Sequence, residues 1–147
     1  MNRAVLLDAG PLGMIAHPQA DPAITNWVNG LLSAGDRVII PEISDYEVRR
    51  ELLRAGKTDS VARLDALKDK LECLPLTTGM MLQAAAFWAQ ARQQHQPTAD
   101  AKALDGDVIL AAQADLTARD GMPCVVATTN VRHLQIFVIA QMWDTIG

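Results

Sequence analysis

Positive charge is in short supply: 13 Lys and Arg stand against 17 Asp and Glu, a formal net charge of −4. Indiscriminate nucleic-acid binding needs a basic face to neutralise phosphates, so this balance excludes it while leaving room for a local basic rim. Cysteine is nearly absent. Cys73 and Cys124 are far apart, with no CxxC or Cys/His spacing, which argues against a zinc site or a disulfide framework and reads as two reduced core thiols. Aromatic residues are only 4% of the chain, leaving the core to Leu, Ile, Val, Ala and Met. Long apolar runs are missing too. Asp8 and Pro11 interrupt "AVLLDAGPLGMIA", which suits neither a signal-peptide core nor a membrane anchor, so a cytoplasmic location with no membrane association is expected. Neither a repeat, a linker nor a low-complexity segment is evident.

What is present is a globular pattern. A chain of 147 residues with 50% hydrophobic residues matches one domain with a sizeable core. "RAVLLD" reads as a strand covered on both faces and ending at Asp8, with "PLG" as a turn behind it. "DPAITNWVNGLLSAG" has helical apolar spacing, and "RVIIP" is a second strand followed by a helix in "SDYEVRRELLRAG". A further helix fills "TDSVARLDALKDKLE", "CLPL" is a short strand, and "TTGMMLQAAAFWAQARQQ" is a helix with a small-residue face. "LDGDVILAAQADLTA" opens another helix, "PCVVATTN" is a β-branched strand, and "IFVIAQMW" supplies an edge strand. Alternating strands and helices predict a three-layer α/β/α sandwich around a parallel sheet, because parallel strands need crossovers that cover both faces.

Ligands of open parallel sheets bind outside the carboxyl ends of the strands. Asp8 ends the first strand, Glu47 follows the second, Asp107 starts a helix, and Thr128 and Asn130 close the "VVAT" strand. Three carboxylates with an amide or hydroxyl oxygen suit Mg²⁺ or Mn²⁺, hard ions that take oxygen ligands. Without a cation such acids repel and one pKa is forced upward. Metal-assisted phosphodiester hydrolysis is the leading chemistry.

Taken together, "VLLDAGPLG", "IIPEISDYEVRREL", "LDGDVILAAQA" and "VVATTNVRHL" resemble PIN-domain ribonucleases, especially toxins of the VapC type, over nearly the whole chain. The resemblance implies that Asp8, Glu47 and Asp107 hold the metal while Thr128 and Asn130 orient water or phosphate. It further implies an RNA substrate, a small antitoxin protein that blocks the acidic site, and a homodimer. Asn130 is a departure, since many relatives carry Asp there.

Plainer readings compete at several positions. Asp8 also suits a turn before Gly10-Pro11. Ser44-Asp45-Tyr46-Glu47 matches a capping box, which would free Glu51 to replace Glu47 in the site. Asp105 and Asp107 cannot face the same way on a helix; the expectation is that Asp105 caps it and Asp107, in its first turn, enters the site. Arg50, Arg54 and Lys57 form a basic stripe that suits RNA phosphates or plain solvent. His133 in "VRHL" suits a proton carrier, though a packing or surface role is the stronger expectation, and His17 and His95 are expected in loops. "MMLQAAAFWAQA" suits core, a partner groove or a dimer face. Two other functions stand beside the nuclease: a magnesium-dependent phosphohydrolase, which in its haloacid form needs an Asp where Gly10 stands, and an inactive PIN-like binding module.

Overall fold

The computed structural model describes residues 2–94 and 101–147, and His95 lies outside them. The first half runs β1 (Ala4–Leu7), α1 (Ala9–Ala16), α2 (Pro22–Ser33), β2 (Arg37–Pro41), α3 (Glu42–Arg54), α4 (Thr58–Lys70) and β3 (Glu72–Leu74). The second half runs α5 (Thr78–Gln93), α6 (Ala101–Arg119), β4 (Cys124–Thr128), α7 (Val131–Leu134) and β5 (Ala140–Met142), closed by a 3-10 turn at Trp143–Thr145. The five strands form one sheet in the order β3-β2-β1-β4-β5, and every pairing is parallel. Register places Leu6 beside Ile39 and Val126, so β1, β2 and β4 end together at one edge.

Alternation along the strands builds the layers. Val5, Leu7, Val38, Ile40, Val125 and Ala127 pack with Leu12, Ile24, Val28 and Leu64 from α1, α2 and α4. Ala4, Leu6, Ile39 and Val126 face the other way, onto Leu110 and Ala114 of α6 and Leu134 of α7. A third cluster joins α5 to α6 through Met80, Ala84, Phe87, Leu104 and Val108. The predicted α/β/α sandwich is therefore present.

Local boundaries differ in instructive ways. "PLG" is not a turn: Pro11 lies in the first turn of α1, where its missing N–H removes no helical bond, and Asp8 caps that helix. Helix α3 begins at Glu42, directly after Pro41, so Ser44 is buried inside the helix and there is no capping box. Helix α6 extends back to Ala101, which makes Asp105 an exposed interior residue and not an N-cap, and moves Asp107 to the second turn. The last strand is confined to Ala140–Met142. Cys73 is exposed on the short edge strand β3, whereas Cys124 is part-buried, its thiol pushed up to about 12 by burial. No helix of the described residues is long and apolar enough to cross a membrane.

Pro41 offers no side-chain cap to α3, and Gln113 of α6 partly replaces one. Fully buried, Gln113 donates from Nε2 to Leu74 O at 2.8 Å, and its Oε1 faces the Ile43 amide at a long 3.5 Å. It thereby ties α6 to the start of α3 and the end of β3. Replacing it with Leu, of similar volume, strands those backbone groups; the expected loss is about 1–3 kcal/mol in urea unfolding. An unchanged midpoint would show that the bridge adds nothing.

Candidate active site

Asp8 is held from two directions. Its Oδ1 accepts the Ala9 amide at 2.7 Å, the cap of α1, and its Oδ2 accepts the Thr128 hydroxyl at 2.7 Å. Thr128 is fully buried at the end of β4, and its Oγ1 also accepts the Asn130 amide at 2.9 Å. Each carboxylate oxygen has more than one lone pair, so both keep acceptor capacity beyond these bonds. The turn reading of Asp8 does not hold, because Gly10 and Pro11 lie inside α1; the residue caps that helix instead.

Glu47, one turn into α3, comes up against α6. A Cβ placed on Gly106 would lie 2.5 Å from Glu47 Oε2, so only glycine leaves room for that carboxylate. Gly106 was not singled out in the sequence. The available signal is a glycine inside a helical run, which often marks close approach of another group. Glu51 does not enter the site; it pairs with Arg54 at 2.9 Å on the exposed outer face of α3.

Asp107 completes the group. Its side chain is 21% exposed, and Oδ2 is buried with no hydrogen-bond partner; the nearest cation-forming group is His133 Nδ1 at 3.9 Å. Burial, then the charge of Asp8, then that of Glu47, push the Asp107 carboxyl up to about 7. Glu47 is also raised, chiefly by burial and next by Asp8, with Arg50 pulling the other way. Among the described residues no three acid, histidine or cysteine side chains converge tightly enough to ligate an ion as they stand. Like charges this close repel, and a buried carboxylate oxygen without a partner is costly.

Around these acids the other expected residues divide. Asn130 has its Nδ2 2.9 Å from His133 Nδ1, which is itself 3.9 Å from Asp107 Oδ2, so His133, for which packing or surface was the stronger expectation over a proton carrier, stands at the carboxylates. Its sequence signal was the spacing of three from Asn130, which puts both on one side of a turn. Arg50 approaches Glu47 at 3.9 Å and stacks over the Tyr46 ring at 5.0 Å. Arg54 is committed to Glu51, so the basic stripe is partly neutralised by its own helix. Asp105 points away, lining a groove with Met81, Trp88 and Ile109. His17 caps the end of α1, where its Nδ1 accepts the Gln19 amide.

Two outcomes follow for the metal-free protein. From the ordinary Asp value of 3.8 to about 7, folded Asp107 retains a proton that the unfolded chain has released. Stability therefore falls as pH rises across that interval and levels off above it, and Asp107→Asn flattens the fall. Urea midpoints measured across the interval check this, and an equally steep fall in Asp107→Asn would count against it. Gly106→Ala drives a methyl into Glu47. Because the clash is with a flexible carboxylate end, helix propensity offsets it, and stability is expected to change by less than about 1 kcal/mol while Glu47 swings outward.

No family model and no curated protein matches this chain. Solved structures do. A chain of VapBC2 from Rickettsia felis, bound to a DNA fragment from their promoter, superposes with a TM-score of 0.76 at 14% identity, covering 95% of this chain and 98% of that one. A chain of VapBC-1 from nontypeable Haemophilus influenzae gives 0.69 at 19% identity, over 95% and 98% of the two chains. One of FitAcB from Neisseria gonorrhoeae gives 0.71 at 20%, over 94% and 96%. At such identities the likeness is one of architecture: this chain has the PIN-like α/β/α fold shared with these VapBC and FitAB chains.

Proposed function

We propose that the protein is a Mg²⁺- or Mn²⁺-dependent endoribonuclease and the toxin of a toxin–antitoxin pair. The observation that carries this reading is the buried, unpartnered oxygen of Asp107 facing the charges of Asp8 and Glu47. An arrangement that costs stability when empty makes sense if a cation fills it. The donor set is all oxygen, which fits a hard divalent ion, and Asp8, Glu47 and Asp107 would hold it. Bound there, Mg²⁺ or Mn²⁺ supplies a Lewis acid that neutralises phosphate charge and acidifies water.

The chain's own residues do the rest. Thr128 fixes Asp8 through its hydroxyl, and the Ala9 amide holds the other oxygen, so that carboxylate is pre-set before any substrate arrives. Gly106 admits Glu47 to the same edge. Arg50, 3.9 Å from Glu47, would meet a phosphate, with Arg54 further out along α3.

A haloacid-type phosphohydrolase is disfavoured by geometry. Position 10 has no room for its second Asp, because a Cβ there would lie 2.5 Å from Thr129 Oγ1. The partners that go with the toxin reading are RNA as substrate, a small antitoxin covering the acidic edge, and a second copy of the chain, in the cytoplasm. The VapBC and FitAB names of the fold's neighbours support the antitoxin. The exposed Met81, Leu82 and Trp88 of α5 support a homodimer through that helix.

Purified protein incubated with defined RNAs is expected to cut them with Mn²⁺ and to stop with chelator. Asp8→Asn should reduce cleavage by on the order of 10²–10³-fold, the scale of losing one charge-stabilising group, with the fold retained. Asp105→Asn, on the far face of α6, should cut at the wild-type rate. Arg50→Ala should lower the salt slope of RNA binding by about one unit. A folded Asp8→Asn that cuts normally would sink the metal reading, and absence of Mn²⁺ binding in calorimetry would favour an inactive binding module.

A further inference from the structure

Tyr46 is the chain's single tyrosine, and its ring is left 55% exposed on α3. Its neighbours on either side, Asp45 and Glu47, are mostly covered, one by ion pairs with Arg49 and Lys68 and the other against α6. The ring is not loose. The Arg50 guanidinium lies 5.0 Å from its centroid, a cation–π contact, and the same guanidinium reaches Glu47 at 3.9 Å. One side chain therefore touches both the exposed ring and the acidic edge. Beside the ring a groove of about 560 Å³ runs along α3, walled by Ile43, Leu53 and Leu76. Arg49, the other cation lining it, is committed to Asp45 at 3.0 Å and to Asp65 at 2.8 Å. The groove thus offers apolar and aromatic surface for an uncharged planar body, with Arg50 at its rim to meet a phosphate.

We propose that this groove is a nucleobase subsite, in which the Tyr46 ring stacks on an unpaired base of single-stranded RNA while Arg50 holds the adjoining phosphate beside the acidic edge. This rests on the ribonuclease reading and states how the strand is gripped next to it. A guanidinium can serve both neighbours at once, since its face covers an aromatic ring while its N–H fork meets phosphate oxygens. The link through Arg50 to Glu47 favours a nucleic acid over a protein segment, because a strand with one phosphate at the acidic edge brings the next base to the groove. Every base has a π-face, so stacking accepts all four, but the base must first leave a duplex stack. The subsite selects unpaired strand, not sequence.

The test measures binding of a labelled single-stranded RNA to the full-length protein by fluorescence anisotropy, with Ca²⁺ in place of Mn²⁺ and the strand checked for intactness on gels. Tyr46→Leu, which keeps apolar bulk but loses the ring, is expected to weaken binding about tenfold, within the range that one stacked base contributes, and Tyr46→Trp to retain it. Both variants should melt as the wild type does, because the position is exposed. A duplex of the same sequence should bind wild type and Tyr46→Leu alike. The deciding arm removes bases one at a time from the RNA: one abasic position should cost the wild type the same tenfold and cost Tyr46→Leu nothing further. Wild-type affinity for the single strand in Tyr46→Leu, or an abasic penalty that persists in it, would overturn the subsite while leaving the ribonuclease reading standing, and would leave the groove to a protein partner. A wild-type chain that binds no RNA in Ca²⁺ and cuts none in Mn²⁺ would remove the ribonuclease reading and the subsite together.

Discussion

Strand β1 is hydrogen-bonded on both sides by parallel neighbours, and its in-register pairing with β2 and β4 determines where everything chemical can be. Parallel pairing in register makes the three strands finish at one edge. The residues just past those ends then belong to one small area of surface, though they come from opposite ends of the chain. Asp8 follows β1, Thr128 ends β4, and α3 leaves β2 without a linker, so Glu47 is only one turn from the sheet. The flanking helices need only supply the last acid, and α6 does so from the other layer. Both apolar faces of the sheet serve this same end, since a strand covered by helices on one side alone would leave α3 and α6 without a common partner.

The cost of this convergence is visible in Asp107. Its apolar neighbours in α6, Val108 and Ala111, are there to pack against α5, and they bring the carboxylate into a poorly hydrated position beside two others. The surrounding structure accepts that cost because the groups that hold it are not themselves strained. Thr128 and Gln113 are fully buried and hydrogen-bonded, and Gly106 replaces what would otherwise be a collision. Stability is concentrated in the sheet and its aliphatic layers, and it is spent at the edge. This division is common where a fold is built around a charged centre.

How far this was legible in the sequence depended on the range of the interaction concerned. The strands announced themselves as uninterrupted apolar runs, and the helices as periodic ones, because both patterns report burial directly. Asp8, Thr128 and Asn130 could be placed because they abut strand ends. The helix boundaries were harder. Pro11 reads as a breaker until one sees that the helix starts two residues earlier, at Ala9 with Asp8 as its cap, and Ser44 looks like a cap although α3 has already begun at Glu42. Asp105 was assigned to a cap for the same reason, since an N-terminal extension through Ala101 leaves no strong periodic mark. Gly106 carried no such mark, and His133 ranked as packing or surface ahead of proton carrier, because what places them is tertiary: one accommodates a side chain 59 positions away, and the other meets an amide whose direction no spacing reveals.

The bond from Thr128 to Asp8 spans 120 positions of sequence. During synthesis, a chain that has emerged only through β3 possesses Asp8 and Glu47 but neither Asp107 nor the strand that holds Asp8 from its far side. Pairings so distant in sequence form late, after the local helices, because closing a long loop costs entropy before it gains contacts. A centre of this kind comes into being as a unit near the end of translation, and truncated products carry its acids without its geometry. Deferred assembly therefore leaves the nascent chain without a formed acidic centre until its synthesis is almost complete.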